Sequence, residues 1–277
     1  MALTIQTNVA SLEAQKSVYG NQKSLMSSFA KLSSGFRINS AADDAAGLAI
    51  SESMKSQIRS YTVAERNAGD GVSMAQTAEG ALGEVHNALG RMRELAMQSS
   101  NGSLSSADRG YLNTEFGLLK SEITRIQGSA KFNGQKVVSS TTSSVTFQVG
   151  LNNTASDKIT VTFGGVGYTA LLAATTVVSG TGSTAALAAL GRIDTAIATT
   201  SSARSKFGAA MNRLEVATSN IQTMRLNLSA ANSRIRDVDV AEETAAMSRN
   251  QVLSQAGISV LAQANQLPQM AFGLIGR

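Results

Sequence analysis

The chain of 277 residues contains one proline, Pro268, which lies close to the C-terminus. Proline interrupts an α-helix because it lacks the backbone N–H and its ring clashes with the preceding turn. A chain almost without proline can therefore form unusually long helices. Aromatic residues make up only 4% of the composition, and tryptophan is absent, while Ala, Ser and Thr are abundant. Small side chains favour close packing between helices, so the composition predicts a mainly α fold.

Two zones of the chain, residues 4–128 and 184–277, have apolar residues spaced by three and four positions. This spacing places the apolar side chains on one helix face and is typical of coiled-coil seams. Because the middle of the chain separates the two zones, we expect the first to pack antiparallel to the last. The predicted fold is an elongated antiparallel helical bundle or coiled coil. Three stretches support it: Val85, Leu89, Met92 and Leu95 or Ala96; Leu112, Phe116, Leu119, Ile123 and Ile126; and Phe207, Met211, Leu214, Thr218, Ile221 and Arg225, where Thr218 and Arg225 are polar interruptions.

Residues 130–183 differ from the rest of the chain because Thr, Val and Gly replace Leu and Glu. Apolar and polar residues alternate in 145–149 and again in 159–163, which is typical of β-strands. The turn-forming residues Asn152 and Asn153 lie between these two segments. We predict a small β-hairpin region in the middle of the chain, with one hairpin or two.

Several helix ends are marked by residues that cap or interrupt helices. Asn39 and Ser40 are predicted to cap the helix that follows them, and Ser105 or Ser106 the next one. Residues 99–103 have the composition of a turn. Gly128 is predicted to end the helix that precedes the middle region.

The two ends of the chain, residues 1–35 and 245–277, are helical in pattern but poor in large apolar residues. Isolated helices are marginal in water and need tertiary burial. A contact between only two helices covers one side of each, so the remaining apolar residues would form exposed patches of the kind that mark interaction sites. We therefore predict a self-assembling structural subunit. The residues predicted to carry assembly are Ile5, Val9, Leu12, Leu25, Phe29, Leu32, Leu253, Val260, Leu261 and Leu267.

Charge and composition argue against several other classes of protein. The net charge is +5, but basic and acidic residues are interspersed, so we expect no binding to nucleic acid. The absence of cysteine excludes disulfides and thiolate metal sites. No stretch approaches the roughly 20 apolar residues of a membrane-spanning helix, so no membrane partner is expected. Residues 1–20 lack the basic and apolar regions of a signal peptide.

The titratable side chains form no pattern of a catalytic or metal site. His86 is the only histidine and has no candidate nucleophile near it in sequence. The pairs Asp43-Asp44 and Glu242-Glu243 lack supporting histidine or cysteine and do not follow the spacing of a calcium loop. We expect charged helix surfaces, no cofactor and no enzymatic activity.

Several blocks of the sequence resemble bacterial flagellins. Residues 32–50, LSSGFRINSAADDAAGLAI, resemble the N-terminal signature of that family, and residues 91–99, RMRELAMQS, resemble a second block. Residues 132–137 resemble a third, and residues 247–266 resemble the C-terminal signature. The matched blocks occur in the order typical of the family and cover residues 1–138 and 184–277.

The resemblance implies a structural subunit that polymerises into the flagellar filament for swimming motility. Residues 1–42 with 236–277 would form a terminal helical coiled coil in the inner tube of the filament. Residues 43–235 would form a helical rod domain in the outer shell, with a β-hairpin tip around 130–183. The resemblance also implies export through a type III apparatus without a cleaved signal peptide, and an extracellular location. The alternative is a hook–filament junction or cap-type accessory axial protein.

The resemblance implies partners besides further copies of the chain. These are a flagellar export chaperone, the cap and junction proteins, and a flagellin-sensing Toll-like receptor. The receptor patch would fall on Arg91, Leu95 and Glu115, where two charged groups surround a leucine anchor. Gly90 departs from the glutamine common there in the family. We expect these residues to serve first as helix surface between subunits and second as a receptor contact.

Overall fold

The computed structural model describes residues 7–180 and 183–275, with the side chains of the last helix described as far as residue 266. Most of these residues are helical, so the prediction of a mainly α fold with a small β region is confirmed. The helices are α1, Val9–Ser34; α2, Ala45–Ser99; α3, Ser106–Ser129; α4, Thr169–Leu172; α5, Thr184–Arg236; and α6, Val240–Ile275. The strands are β1, Lys131–Phe132; β2, Gln135–Lys136; β3, Thr142–Gln148; and β4, Lys158–Gly164.

The chain divides into two compact units. Met1–Ser56 and Asn227–Arg277 form the terminal unit, and Gln57–Leu226 forms the central unit. The helices α2 and α5 each contribute residues to both units. The central unit holds most of the buried apolar side chains.

The core of the central unit is lined by α2, α3, α5 and the β3–β4 hairpin. The apolar stripes predicted from spacing are confirmed here, because their members are buried or pack against this core. The large side chains that are fully buried in this unit include Leu82, Leu89, Met92, Leu95, Phe116, Ile123, Phe163, Leu171, Ile193, Phe207 and Leu214.

Ion pairs between α2 and α5 recur along the central unit. They join Glu65 to Arg225, Glu79 to Arg204 and Arg93 to Asp194, with N···O distances of 2.6, 2.6 and 2.8 Å. Residue numbers rise along α2 as they fall along α5, so the two helices are antiparallel. Partly exposed ion pairs contribute little stability individually, and we assign these pairs a role in the register of the helices. Arg225, a polar interruption in the α5 seam, takes part in this series.

The described residues of the middle region form two antiparallel hairpins, so of the two possibilities left open by the sequence the second is correct. The strands predicted over 145–149 and 159–163 are confirmed as β3 and β4, which pair from Thr142 opposite Gly164 to Gln148 opposite Lys158. The hairpin of β1 and β2 turns at Asn133 and Gly134, whose φ angles are 46° and 80°. Positive φ at both central residues is the requirement of a type I′ turn, which Asn-Gly satisfies with little strain.

The predicted start of α2 is wrong, because the helix begins several residues after Asn39 and Ser40. The backbone N–H groups of Asn39 and Ser40 donate to the Asp43 carboxylate at 3.1 and 2.9 Å, which forms a turn before the helix. Asp44 then caps α2, since its Oδ1 accepts from the Gly47 N–H at 2.9 Å. The Asp44 carboxylate, rather than the Asn39 amide or the Ser40 hydroxyl, accepts a hydrogen bond from a free backbone N–H in the first turn of α2.

For α3, the predicted start of the helix is confirmed and the predicted end is wrong. Ser105 caps the start of the helix: its Oγ accepts from the Asp108 N–H at 3.2 Å, while the Asp108 carboxylate accepts from the Ser105 N–H at 3.0 Å. This reciprocal arrangement is a capping box. Gly128 does not end the helix, because α3 continues to Ser129 and the chain then becomes extended at Ala130.

Ser105→Ala is expected to raise the pKa of the Asp108 carboxyl. Hydrogen bonds from the Ser105 hydroxyl and N–H hold that pKa below its ordinary value of 3.8. A carboxyl with a lowered folded-state pKa stabilises the fold above its unfolded-state pKa, and this contribution is lost as the pH falls through the folded-state pKa. The substitution should therefore weaken the dependence of stability on pH below about pH 4. An NMR titration of Asp108 checks this, with Ser106→Ala as the control; an unaltered Asp108 pKa contradicts it.

Candidate assembly surfaces of the terminal helices

The helices α1 and α6 pack against each other in the terminal unit. Near the start of α1, the Asn8 Nδ2 donates to the Ala264 carbonyl at 2.8 Å. Near its end, the Lys31 Nζ lies 3.6 Å from a Glu243 carboxylate oxygen. The start of α1 therefore meets the later part of α6, and the two helices are antiparallel.

The packed faces of the two helices repeat every seven residues, as in a coiled coil. The seam buries few large apolar side chains, because several of its positions hold Ser, Asn, Ala or Gly. At Gly257, a Cβ would lie 2.8 Å from the Val18 Cγ2, so only glycine allows this close approach without a shift. The Ser11 hydroxyl donates to the Asn265 side chain at 2.7 Å and adds a polar contact. The seam comprises Ser11, Ala14, Val18, Asn21, Leu25, Ser28 and Leu32 on α1, and Glu243, Met247, Asn250, Ser254, Gly257, Leu261 and Ala264 on α6.

The outer faces of α1 and α6 carry large apolar side chains that the single chain leaves exposed. Leu12, Tyr19 and Met26 are spaced by seven residues and are 56, 72 and 72% exposed. Leu253 and Val260 on α6 have the same spacing and are 44 and 56% exposed. We call these five residues the outer stripes. Their spacing equals the seven-residue period of the seam between α1 and α6, so each stripe can pack along a further helix. Further exposed apolar residues on the pair are Val9, Phe29, Val240, Val252 and Ile258.

The residues predicted to carry assembly fall into two groups. One group is exposed in the single chain and consists of Val9, Leu12, Phe29, Leu253 and Val260. The other group is half-buried in the seam between α1 and α6 and consists of Leu25, Leu32 and Leu261. Ile5 and the side chain of Leu267 lie outside the described residues. Tyr19 and Met26 are exposed on the same face but were not among the predicted residues, although their spacing of seven residues from Leu12 indicates this face.

The predicted receptor patch is only partly exposed in the central unit. The Arg91 Nε lies 2.8 Å from the Glu115 Oε1, and Arg91 also contacts Glu94 at 3.0 Å. Hydrogen bonds to Glu115 and then Glu94 raise the pKa of the Arg91 guanidinium above its ordinary value. Leu95 is fully buried in the single chain, so the expectation that it forms helix surface together with Arg91 and Glu115 is wrong. The physical reason is that Leu95 continues the apolar stripe of α2 that faces the core.

The other titratable groups singled out from the sequence have structural partners or no ligand pattern. Asp43 accepts hydrogen bonds from Ser40 and Asn39, which lower its pKa. The histidine, His86, is half-buried on α2. Among the described residues, no cluster of three His, Cys, Asp or Glu side chains has the arrangement needed to hold a metal ion. In the same part of the chain, no helix has both the length and the hydropathy needed to cross a membrane.

Comparison with known proteins identifies the family. The family model of the bacterial flagellin N-terminal helical region matches residues 5–143, and that of the bacterial flagellin C-terminal helical region matches residues 190–275. The chain belongs to the bacterial flagellin family. It is 44% identical to a flagellin of Halalkalibacterium halodurans over 273 residues, which cover 99% of this chain and 100% of that protein.

Two further relatives match along almost the whole of this chain. The flagellin of Bacillus subtilis is 39% identical over 305 residues, covering 99% of this chain and 100% of that protein. The flagellar filament 33 kDa core protein of Treponema phagedenis is 38% identical over 288 residues, with the same coverage. The prediction of a flagellar filament subunit is thereby confirmed, and no match favours the junction or cap-type alternative. The chain is a structural subunit of a bacterial flagellar filament.

Proposed function

We propose that this chain polymerises through the outer stripes of its terminal helix pair. In this proposal, α1 and α6 of one copy pack against the terminal pairs of neighbouring copies. The observation that carries the proposal is the exposure of Leu12, Tyr19 and Met26 on α1 and of Leu253 and Val260 on α6. Because the seam within the chain is thin, neighbouring copies would supply the burial that the isolated pair lacks.

The size of the outer stripes indicates how many neighbours are needed. Fully burying one large apolar side chain contributes about 2 kcal/mol, and these five are 44–72% exposed, so covering them contributes about 6 kcal/mol. Association of two proteins costs about 4–15 kcal/mol in lost freedom of motion. One contact through these stripes therefore only offsets its own cost. A subunit that contacts several neighbours at once gains the burial free energy several times but loses its freedom of motion only once. This favours a long polymer over a dimer.

We further propose that residues 1–42 with 236–277 form the inner tube and residues 43–235 the outer shell, with 130–183 at the outward tip. Two observations support this division. The helix breaks between α1 and α2 and between α5 and α6 lie at the proposed boundaries. The large buried core belongs to the central unit, while the terminal pair exposes its apolar residues and needs neighbours on its sides.

Family membership also supports proposals about export and other partners. We infer export through a type III apparatus without cleavage of a signal peptide, and contacts with an export chaperone and with the cap and junction proteins. A flagellin-sensing Toll-like receptor is a further proposed partner. It would contact Arg91 and Glu115, whose side chains are 49 and 45% exposed. Leu95, which is buried, would act only by supporting α2.

The double substitution Leu12→Glu with Val260→Glu is expected to prevent polymerisation. Each carboxylate would be buried without a partner in the contact between copies, which costs several kcal/mol. We expect the critical concentration for seeded polymerisation of purified monomer to rise at least ~100-fold, since about 1.4 kcal/mol corresponds to a factor of ten. Electron microscopy and sedimentation measure the polymer. Circular dichroism should show unaltered helix content in the monomer, because both positions are exposed there.

The matched control is Leu12→Met with Val260→Ile, which keeps both positions apolar. This variant should polymerise at close to the concentration of the unsubstituted chain. Normal filaments from the double glutamate variant rule out the outer stripes as the assembly surface.

A further inference from the structure

The two helix breaks of the terminal unit are paired with each other. One break separates α1 from α2, and the other separates α5 from α6. Between them, Phe36 and Asp237 form an antiparallel β-bridge. We call the segments 35–37 and 236–238 together the joint. Since the bridge connects both breaks, neither helix can change direction at its break without affecting the other.

Backbone hydrogen bonds on both sides of the bridge hold the joint. The Arg37 N–H donates to the Arg236 carbonyl at 2.6 Å, and the Val238 N–H donates to the Gly35 carbonyl at 3.1 Å. Gly35 has a φ of 74°, a left-handed conformation that other residues adopt at a cost. The glycine thus turns the chain out of α1 and directs it alongside the other break.

The side chain of Arg236 contacts two other parts of the terminal unit. It leaves the last turn of α5, and its guanidinium carbon lies 4.5 Å from the centroid of the Phe36 ring. Its Nη1 lies 2.6 Å from the Glu52 Oε1 on α2, and the arginine side chain is only 15% exposed. A cation over an aromatic ring is more strongly attracted when it is shielded from water. Arg236 therefore links α5, the break after α1 and the first turns of α2.

We propose that Arg236 is a positioning residue that fixes the direction in which α1 and α6 leave the joint. The bridge makes both helices turn together, and the stacked and ion-paired guanidinium holds that turn at one angle relative to the first turns of α2 and the last turns of α5. The inference rests on the proposed function, in which α1 and α6 form the contacts between copies. A regular helical polymer repeats the same contact at every subunit, so each subunit must hold this angle within narrow limits.

The first experiment measures the joint in assembled filaments, where neighbouring copies cover the terminal pair. Amide hydrogen exchange, followed by mass spectrometry of peptides that contain Arg37 or Val238, is compared between filaments of the unsubstituted protein and of Arg236→Ala. We expect about tenfold faster exchange at the Arg37 and Val238 amides, which corresponds to loss of one partly shielded cation–π contact and its ion pair. Amides in the core of the central unit should keep their rates. Unaltered exchange at both joint amides overturns the proposal.

Two further variants separate positioning from general stabilisation. Arg236→Lys keeps a charge that can reach Glu52 but loses the planar group that stacks on Phe36, so it should accelerate exchange at the joint by less than Arg236→Ala. Phe36→Leu removes the ring and leaves the arginine and its ion pair in place. It replaces Arg236→Ala in the exchange experiment if that variant does not fold. The control is Arg234→Ala, an exposed arginine of the same helix turn, which should leave the joint amides unaffected.

The second experiment measures the polymer. Filaments of Arg236→Ala grown from seeds should form at close to the normal concentration but with variable helical pitch in electron micrographs. Uniform filaments of normal pitch overturn the positioning role. Failure of the proposed assembly surface is distinguishable, because it appears as loss of polymer in Leu12→Glu with Val260→Glu, while the exchange rates of the joint amides are measured in filaments that have formed.

Discussion

Phe163→Ala is expected to lower the free energy of unfolding of the central unit by about 4 kcal/mol. Phe163 is fully buried on β4, and its ring is stacked on Phe207 of α5 with 5.4 Å between the centroids. Removing the ring takes away its transfer free energy and leaves a cavity, because the β3–β4 hairpin and α5 cannot close fully over the space. The contact also ties the hairpin to the helices, so the loss affects both.

Urea unfolding of the monomer, followed by far-ultraviolet circular dichroism, measures this loss. Thr162→Ala is the matched control, because Thr162 lies next to Phe163 on the same strand and is exposed. The control should change the free energy of unfolding by less than about 0.5 kcal/mol. A loss below about 1 kcal/mol for Phe163→Ala means that the hairpin does not share the helical core.

Leu95→Ala is expected to cost about 3 kcal/mol of unfolding free energy, because Leu95 is fully buried between the helices of the central unit. Met97, two residues further along α2, is 52% exposed, and Met97→Ala should have little effect. The same urea unfolding experiment compares the two variants. Equal stabilities for the two variants contradict the assignment of Leu95 to the core.

This result affects how the receptor proposal is tested. A weaker receptor response to Leu95→Ala can follow from loss of folded protein alone, so it does not identify a contact. Arg91→Ala and Glu115→Ala remove the exposed charged pair and leave the core intact. A reporter assay on folded monomer of these two variants tests the patch directly. An unchanged response in both excludes the pair as a receptor contact.

The sequence predicted the core of the central unit well but could not choose between neighbouring stripes on the terminal helices. A spacing of three and four residues gives the period of a helix face. On α1, the stripe through Val18 and the stripe through Tyr19 both repeat every seven residues. The structure selects the first for the seam because Gly257 on α6 lets Val18 approach closely. Small residues on the partner helix, rather than apolar residues on α1, decide which face is covered.

Other features depend on contacts between residues that are far apart in sequence. The bridge between Phe36 and Asp237 joins the two ends of the chain, and no local pattern indicates it. The start of α2 was missed for a local reason, since Asn39, Asp43 and Asp44 are all residues that cap helices. The β3–β4 hairpin was predictable because alternation fixes the register as well as the strand.

The polar seam between α1 and α6 has a consequence for where growth takes place. In each free chain, few large side chains hold α1 against α6. Two free chains that meet in solution therefore present poorly ordered contact surfaces to each other. In the proposed assembly, neighbours at the end of an existing polymer already hold such pairs in order, and an arriving chain gains several contacts at once. On that proposal, elongation is favoured over spontaneous nucleation, and polymer accumulates where an end is available rather than throughout the solution.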